Sequence, residues 1–134
     1  MTRRRHKEGL MEECPIRDIL DRIGDRWSLL VLSTLSSGTL RFTALKREIG
    51  DISQRMLAQT LRRLEQDGFV SRTVHPTIPP RVDYALTPLG RSFLGPLDAL
   101  IRWADDNHMA VRAAREAYVP PSTDPGSWPD AHVA

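Results

Sequence analysis

One stretch limits what this chain can become. Residues 51–68, Asp-Ile-Ser-Gln-Arg-Met-Leu-Ala-Gln-Thr-Leu-Arg-Arg-Leu-Glu-Gln-Asp-Gly, read as a single amphipathic helix with both ends marked. Ser53 is a good N-cap, because its hydroxyl accepts a hydrogen bond from a first-turn N–H that has no helical partner. Gly68 suits the position just past the end, where a left-handed conformation carries no Cβ penalty. Leu57, Leu61 and Leu64 fall at i, i+4 and i+7 and make one apolar stripe. At about 100° per residue, Arg55, Gln59, Arg62 and Gln66 lie opposite. That outer face carries no lysine, and Glu65 lies toward its flank. Arg and Gln form forked hydrogen bonds to base edges, so the face suits a DNA major groove. A solvated helix face has a similar composition, and the neighbouring segments must decide between the two.

Charge placement favours the groove. Between residues 41 and 63, Arg41, Lys46, Arg47, Arg55, Arg62 and Arg63 stand against Glu48 and Asp51. A local excess of this kind marks a phosphate-facing surface, although the net charge of the whole chain is only +2. Of the 19 basic residues only Lys7 and Lys46 are lysine. Arginine is the better bidentate donor to phosphate and guanine, but coding bias in a GC-rich genome gives the same imbalance. At 134 residues the chain is expected to be one domain, small enough to gain from dimerisation. It has no apolar run long enough to span a bilayer, and its basic N-terminus lacks the apolar segment of a secretory signal. Cys14 is the only cysteine, so no internal disulfide or cysteine-rich zinc site can form. A cytoplasmic location is expected.

In chain order, residues 1–10 read as a flexible basic arm. Residues 14–23 make a first helix, with Pro15 at N1 and Ile16, Ile19, Leu20 and Ile23 in a stripe. Gly24 ends it. Asp25 caps a second helix, 26–35, apolar nearly all round and therefore expected in the centre of the domain. A short third helix, 41–49, turns Phe42, Leu45 and Ile49 inward. Two helices joined by a short Gly-containing turn, the second with a basic polar face, match the helix-turn-helix pattern. Residues 69–74 and 81–86 are rich in β-branched and aromatic residues and read as strands. The Pro-stiffened loop 75–80 joins them into a wing that reaches sugar-phosphate or the minor groove, with Arg72 and Arg81 as its charges. The same hairpin would also serve simply to close the core. Thr87 caps the next helix, with Pro88 at N1. Phe93, Leu97, Leu100 and Ala104 repeat at helical spacing there, widened by Leu94, Ile101 and Trp103. This face exceeds what a small winged domain needs to cover its own core. A last Ala-rich stretch, 108–118, either continues that helix or follows it. Residues 119–134 are expected to be a disordered tail, which leaves 11–118 as the domain. The expected fold is mainly α with a small β-wing: a winged helix-turn-helix domain with N- and C-terminal dimerisation helices.

Taken together, five stretches resemble the HxlR family of bacterial winged helix-turn-helix transcriptional regulators, relatives of the MarR group. They are Cys14-Pro-Ile16, Gly24-Asp-Arg-Trp-Ser-Leu-Leu-Val-Leu32, Leu40-Arg-Phe-Thr-Ala-Leu45, residues 52–68, and Pro79-Pro-Arg-Val-Asp-Tyr-Ala-Leu-Thr-Pro-Leu-Gly90. The resemblance spans roughly residues 12–107. It implies a homodimer joined through its terminal helices on a roughly palindromic double-stranded operator. The roles expected on that footing follow the residue chemistry. Gln54, Arg55 and Gln59 read bases. Ser53, Arg62 and Arg63 contact phosphates or frame the groove, unless Arg62 and Arg63 pair with Glu65 or Gln66. Arg41 and Lys46 hold the backbone, and Arg72 and Arg81 serve the wing. The dimer seam is expected from Ile16, Ile19 and Leu20 with Phe93, Leu94, Leu97, Leu100, Ile101 and Trp103.

Cys14 aligns with the N-terminal cysteine through which some members of the family sense quinones, aldehydes or oxidants, so the resemblance makes it a candidate redox or electrophile sensor. A helix N-terminus and Arg17 favour its thiolate, whereas Glu12 and Glu13 oppose it. The alternative is a small apolar residue near the seam. No enzyme is expected. His6, His75, His108 and His132 are scattered, no cluster has metal-ligand spacing, and no Gly-rich phosphate loop or credible Ser/His/Asp triad exists. No cofactor is expected. Two other readings stay open: a winged helix used for protein–protein contact, and a regulator that binds a small apolar molecule around Trp27 and Trp103.

Overall fold

Leu57, Leu61 and Leu64 are each no more than 1% exposed, and the rest of the core is assembled on them. The computed structural model describes residues 14–121; the expected N-terminal arm, and all of the expected tail but residues 119–121, lie outside them. The described elements are α1 (Pro15–Ile23), α2 (Arg26–Thr34), a 3-10 turn (Leu35–Ser37), β1 (Leu40–Arg41), α3 (Phe42–Ile49), α4 (Gln54–Gln66), β2 (Val70–His75), β3 (Arg81–Leu86), α5 (Pro88–Ser92) and α6 (Leu94–Ala117). The chain divides into two compact units, Met1–Asp98 and Ala99–Ala134.

The helix ends follow the capping residues. Asp25 accepts the Ser28 N–H at 2.7 Å and the Ser28 hydroxyl at 3.0 Å. Ser53 accepts the Met56 N–H at 3.0 Å, and Thr87 accepts the Gly90 N–H at 3.0 Å. Each bond satisfies a first-turn amide that has no partner within its helix. At the far end of α4, Phe69 N–H donates to the Leu64 carbonyl at 2.9 Å and Gly68 N–H to the Glu65 carbonyl at 3.1 Å. This is the paired closure of a Schellman turn, and Gly68 supplies its positive φ of 85°.

In the first unit α4 packs on α2, and Val31, Leu32 and Leu35 meet Leu45, Ile52 and the three α4 leucines in one core. The helix α2 is less enclosed than its composition suggests. Leu30 is 43% exposed, because one side of a nine-residue helix still faces outward. The sheet is three-stranded and antiparallel in the order β1-β3-β2. Val70, Tyr84 and Leu86 close the core from the sheet, so the hairpin does cover the interior as well as forming a wing. Strand β1 was not anticipated. Arg41, expected to open the third helix, instead pairs opposite Asp83 in β1 and occupies the N-cap of α3. A two-residue strand is too short to carry an alternating pattern.

The helix expected to run on from Thr87 is interrupted at Phe93, and α5 and α6 are separate. Pro96 explains the break: it has no N–H, and its ring would clash with the carbonyl of Ser92 four residues back. Leu97 also departs from expectation. Counted with the dimer seam, it is 3% exposed within the core of its own unit, one helical turn after Phe93. Phe93 and Leu94 are half-buried against that core. In the second unit, the remainder of α6 carries Leu100, Ile101, Trp103, Met109 and Val111 as exposed apolar residues.

Candidate nucleic-acid interface

The outward face of α4 is where the expected base-reading residues fall. Arg55, Gln59, Arg62 and Gln66 are all exposed opposite the buried leucine stripe, and Gln54 is exposed at the first position of the helix. Ser53 is exposed at the same end, with its hydroxyl engaged as the cap. Gly50, at φ 93°, makes the turn that delivers α4 from α3. On α3, Lys46 is half-buried and Arg47 exposed.

The arginines sort into free and tethered. Among the described residues, Arg41, Lys46, Arg55, Arg62 and Arg72 have no carboxylate partner. Arg63 does have one: its Nη2 lies 3.1 Å from Asp25 Oδ2, at the cap of α2. Neither Arg62 nor Arg63 takes up the local pairing with Glu65 or Gln66. The fold therefore separates adjacent residues, leaving Arg62 open on the outer face and fixing Arg63 against α2.

Two depressions carry this surface toward the wing. Arg62, Ala58 and Glu65 of α4 line the first, of about 290 Å³, together with Arg72 of β2 and Tyr84 of β3. The free arginines of helix and wing strand thus share one surface. The second, of about 550 Å³, is lined by Arg41, Phe42, Thr43, the wing residues Thr77 to Pro80, Arg81 and Val82. It brings Arg41 and Arg81 together, although 40 residues of sequence separate them. Arg81 leans back toward Asp83, Nε to Oδ1 at 3.5 Å, and His75 Nε2 lies 3.0 Å from the other carboxylate oxygen. At the wing tip Ile78 is 100% exposed. In the sequence it is an aliphatic residue placed among prolines in a turn.

Helix α4 is also tied to α1. Arg22, in the last turn of α1, makes a forked bond to Asp67, the C-cap of α4: Nε to Oδ2 at 2.8 Å and Nη2 to Oδ1 at 3.0 Å. The Asp67 hydrogen bond and charge, with the charge of Asp18, raise the Arg22 pKa above its ordinary value. The pair borders a cleft of about 560 Å³ walled by Ile19, Ile23, Phe69, Leu89, Phe93 and Pro96. Farther along α1, Ile16, Ile19 and Leu20 are 63%, 40% and 56% exposed. Cys14 is the N-cap of α1, half-buried, and its side chain makes no capping hydrogen bond. Trp27 is half-buried against the core with the Arg26 guanidinium 4.4 Å from its ring centre, while Trp103 is 58% exposed in the second unit. Among the described residues no helix is long and apolar enough to cross a membrane.

Comparison with known proteins identifies the family and the fold. The model of the HxlR-like helix-turn-helix family matches residues 22–112. The HTH-type transcriptional regulator YtfH of Escherichia coli K12 is 46% identical over 112 residues, covering 82% of this chain and 89% of that relative. The solved structure of the transcriptional regulator ytfH from Salmonella typhimurium superimposes with a TM-score of 0.71 at 46% identity, over 78% of this chain and 94% of that one. The redox regulator HypR in its oxidized form superimposes with a TM-score of 0.67 at 37% identity, over 70% of this chain and 97% of that one. Winged-helix architecture, the family match and relatives that are transcriptional regulators rather than enzymes lead to one assignment: this chain belongs to the HxlR-like helix-turn-helix family of transcriptional regulators.

Proposed function

We propose that this regulator binds DNA sequence-specifically as a homodimer on a roughly palindromic operator, with α4 in the major groove and Cys14 as a thiol switch. The observation that carries the reading is the division of α4. Its leucines are sealed in the core, while Arg55, Gln59 and Arg62 stand exposed with no acidic partner among the described residues. Arg55 has the geometry for guanine O6 and N7, and Gln59 for adenine N6 and N7. Arg41, Lys46, Arg62 and Arg72 supply cations for phosphates on either side of the helix. Thiol switching is supported by Cys14 at a helix N-terminus and by the likeness to HypR, a redox regulator. Because the chain has a single cysteine, its disulfide partner is Cys14 of the second subunit or a small thiol. Two thiols lose two protons and two electrons to the oxidant as one S–S bond forms.

The cleft beside Arg22 and Asp67 favours a second reading, a regulator released by a non-covalent apolar ligand, since its volume and walls suit a small molecule.

The test is a titration with the DNA immediately upstream of the protein's own gene and with random DNA, each with and without diamide, for the wild type and Cys14→Ser. Preference for the upstream DNA that diamide abolishes in the wild type but not in Cys14→Ser is the expected result. Preference that ignores diamide removes the thiol switch and favours the ligand reading. Equal, weakly salt-dependent binding to both DNAs would overturn DNA recognition itself, because phosphate contacts release counterions.

A further inference from the structure

Ile78 contributes nothing to the fold. It is fully exposed, so its aliphatic carbons gain no burial within the chain. The loop nevertheless holds it in a stiff setting. Pro76, Pro79 and Pro80 restrict the backbone, the Thr77 hydroxyl donates to the Pro79 carbonyl at 2.7 Å, and the Thr77 N–H donates to the His75 carbonyl at 2.8 Å. The base of the wing is fixed by the pairing of His75 with Arg81 and by Asp83, which lies against both side chains. The groove beside the tip is lined by Arg41 and Arg81 and by no acidic residue.

From these observations we infer that Ile78 is an apolar minor-groove reader. The wing lays it on the floor of the groove next to the segment held by α4, with Arg41 and Arg81 directed at the flanking phosphates. The inference rests on the DNA-binding reading. A narrow apolar tip beside the Arg41 and Arg81 cations suits a groove about 6 Å wide that is bordered by phosphates. An isoleucine side chain can neither donate nor accept a hydrogen bond, so it selects by shape. It fits over A·T pairs and is obstructed by the guanine 2-amino group, the one donor that a G·C pair adds to that floor.

Dimethyl sulfate probing of the upstream DNA reads both grooves at once, through guanine N7 in the major groove and adenine N3 in the minor groove. The wild type is expected to protect both. Ile78→Ala should keep N7 protection, lose N3 protection beside each half-site, and bind about tenfold more weakly, the scale of a few apolar carbons leaving water. Its melting temperature should not change. Inosine in place of guanine under the wing removes the 2-amino group while preserving N7 and O6. That exchange should strengthen wild-type binding and leave Ile78→Ala indifferent. Unchanged N3 protection in the variant, or equal loss at N7 and N3, overturns the placement of Ile78. A wild type that protects neither atom overturns the DNA-binding reading together with it.

Discussion

Arg55 and Lys46 carry the same charge but are expected to contribute differently. Arg55 lies on the exposed side of α4, two residues after the Ser53 cap, where the start of a recognition helix meets base edges. Lys46 sits half-buried on α3, where a single ammonium can reach a phosphate but cannot fork onto a base. Arg55→Ala should lose ~1–3 kcal/mol on specific DNA and relax base preference at one position of each half-site. Lys46→Ala should weaken specific and random DNA alike and lower the salt slope by about 1. Anisotropy titrations on both DNAs across a salt series separate the two, and equal losses on both DNAs for both variants would show the division of labour to be wrong. Arg63 provides the contrast. Identical in chemistry to Arg62 and next to it in sequence, it is held by Asp25 3.1 Å away, and only the fold reveals that difference.

The elements that could be read from sequence are those with local signatures. The cap at Ser53, the closure at Gly68, the leucine stripe of α4 and the β3 strand are each fixed by residues within a few positions of one another, and periodicity reports such neighbours. What escaped was non-local or too short. Strand β1 has two residues and exists because β3 offers an edge to Leu40 and Arg41. Leu97 fits the spacing of a surface stripe, yet it is buried in the core of its own unit at 3% exposure. The bond between Arg22 and Asp67 joins residues 45 apart, so no pattern announces it. This last contact carries a consequence for recognition. Together with Asp25–Arg63 it fastens the C-terminal end of α4 to the junction of α1 and α2 at two points. The orientation of α4 therefore depends on α1. Arg22→Asp should reduce preference for the upstream DNA while leaving affinity for random DNA nearly unchanged, since the cations of the outer face remain. The reversed pair, Arg22→Asp with Asp67→Arg, should recover much of the preference. Competition titrations of the single and double variants measure this coupling directly. If the reversed pair is no better than the sum of its single variants, the contact does not orient the helix.

At the scale of the whole molecule, the unresolved quantity is apolar surface. The first unit leaves Ile16, Ile19 and Leu20 exposed along α1 at 63%, 40% and 56%, while Ile23 of the same helix is sealed in the core at 1%. This nine-residue helix, anchored by the buried Ile23 and the Arg22–Asp67 ion pair, presents three large aliphatic side chains that are exposed in whole or in part. In the second unit Leu100, Ile101, Trp103 and Val111 are likewise exposed on α6. Exposed apolar surfaces of this kind on small chains mark association sites, and a two-fold dimer would cover apolar surface on both of its subunits. The same symmetry would set two α4 helices about 34–36 Å apart, one turn of DNA. Dimerisation also supplies affinity, because the second half-site is then bound at a high effective concentration and a monomer loses roughly 10²–10⁴ in overall binding. The wild type should therefore sediment as a dimer at micromolar concentration. Leu20→Asp places a charge in the seam at a position outside the core, so it should sediment as a folded monomer, keep its helical circular dichroism, and bind upstream DNA only as weakly as a single half-site allows. A monomeric wild type at that concentration would overturn the dimer. A dimeric Leu20→Asp with wild-type affinity would instead remove α1 from the seam and leave α6 as the element that carries it.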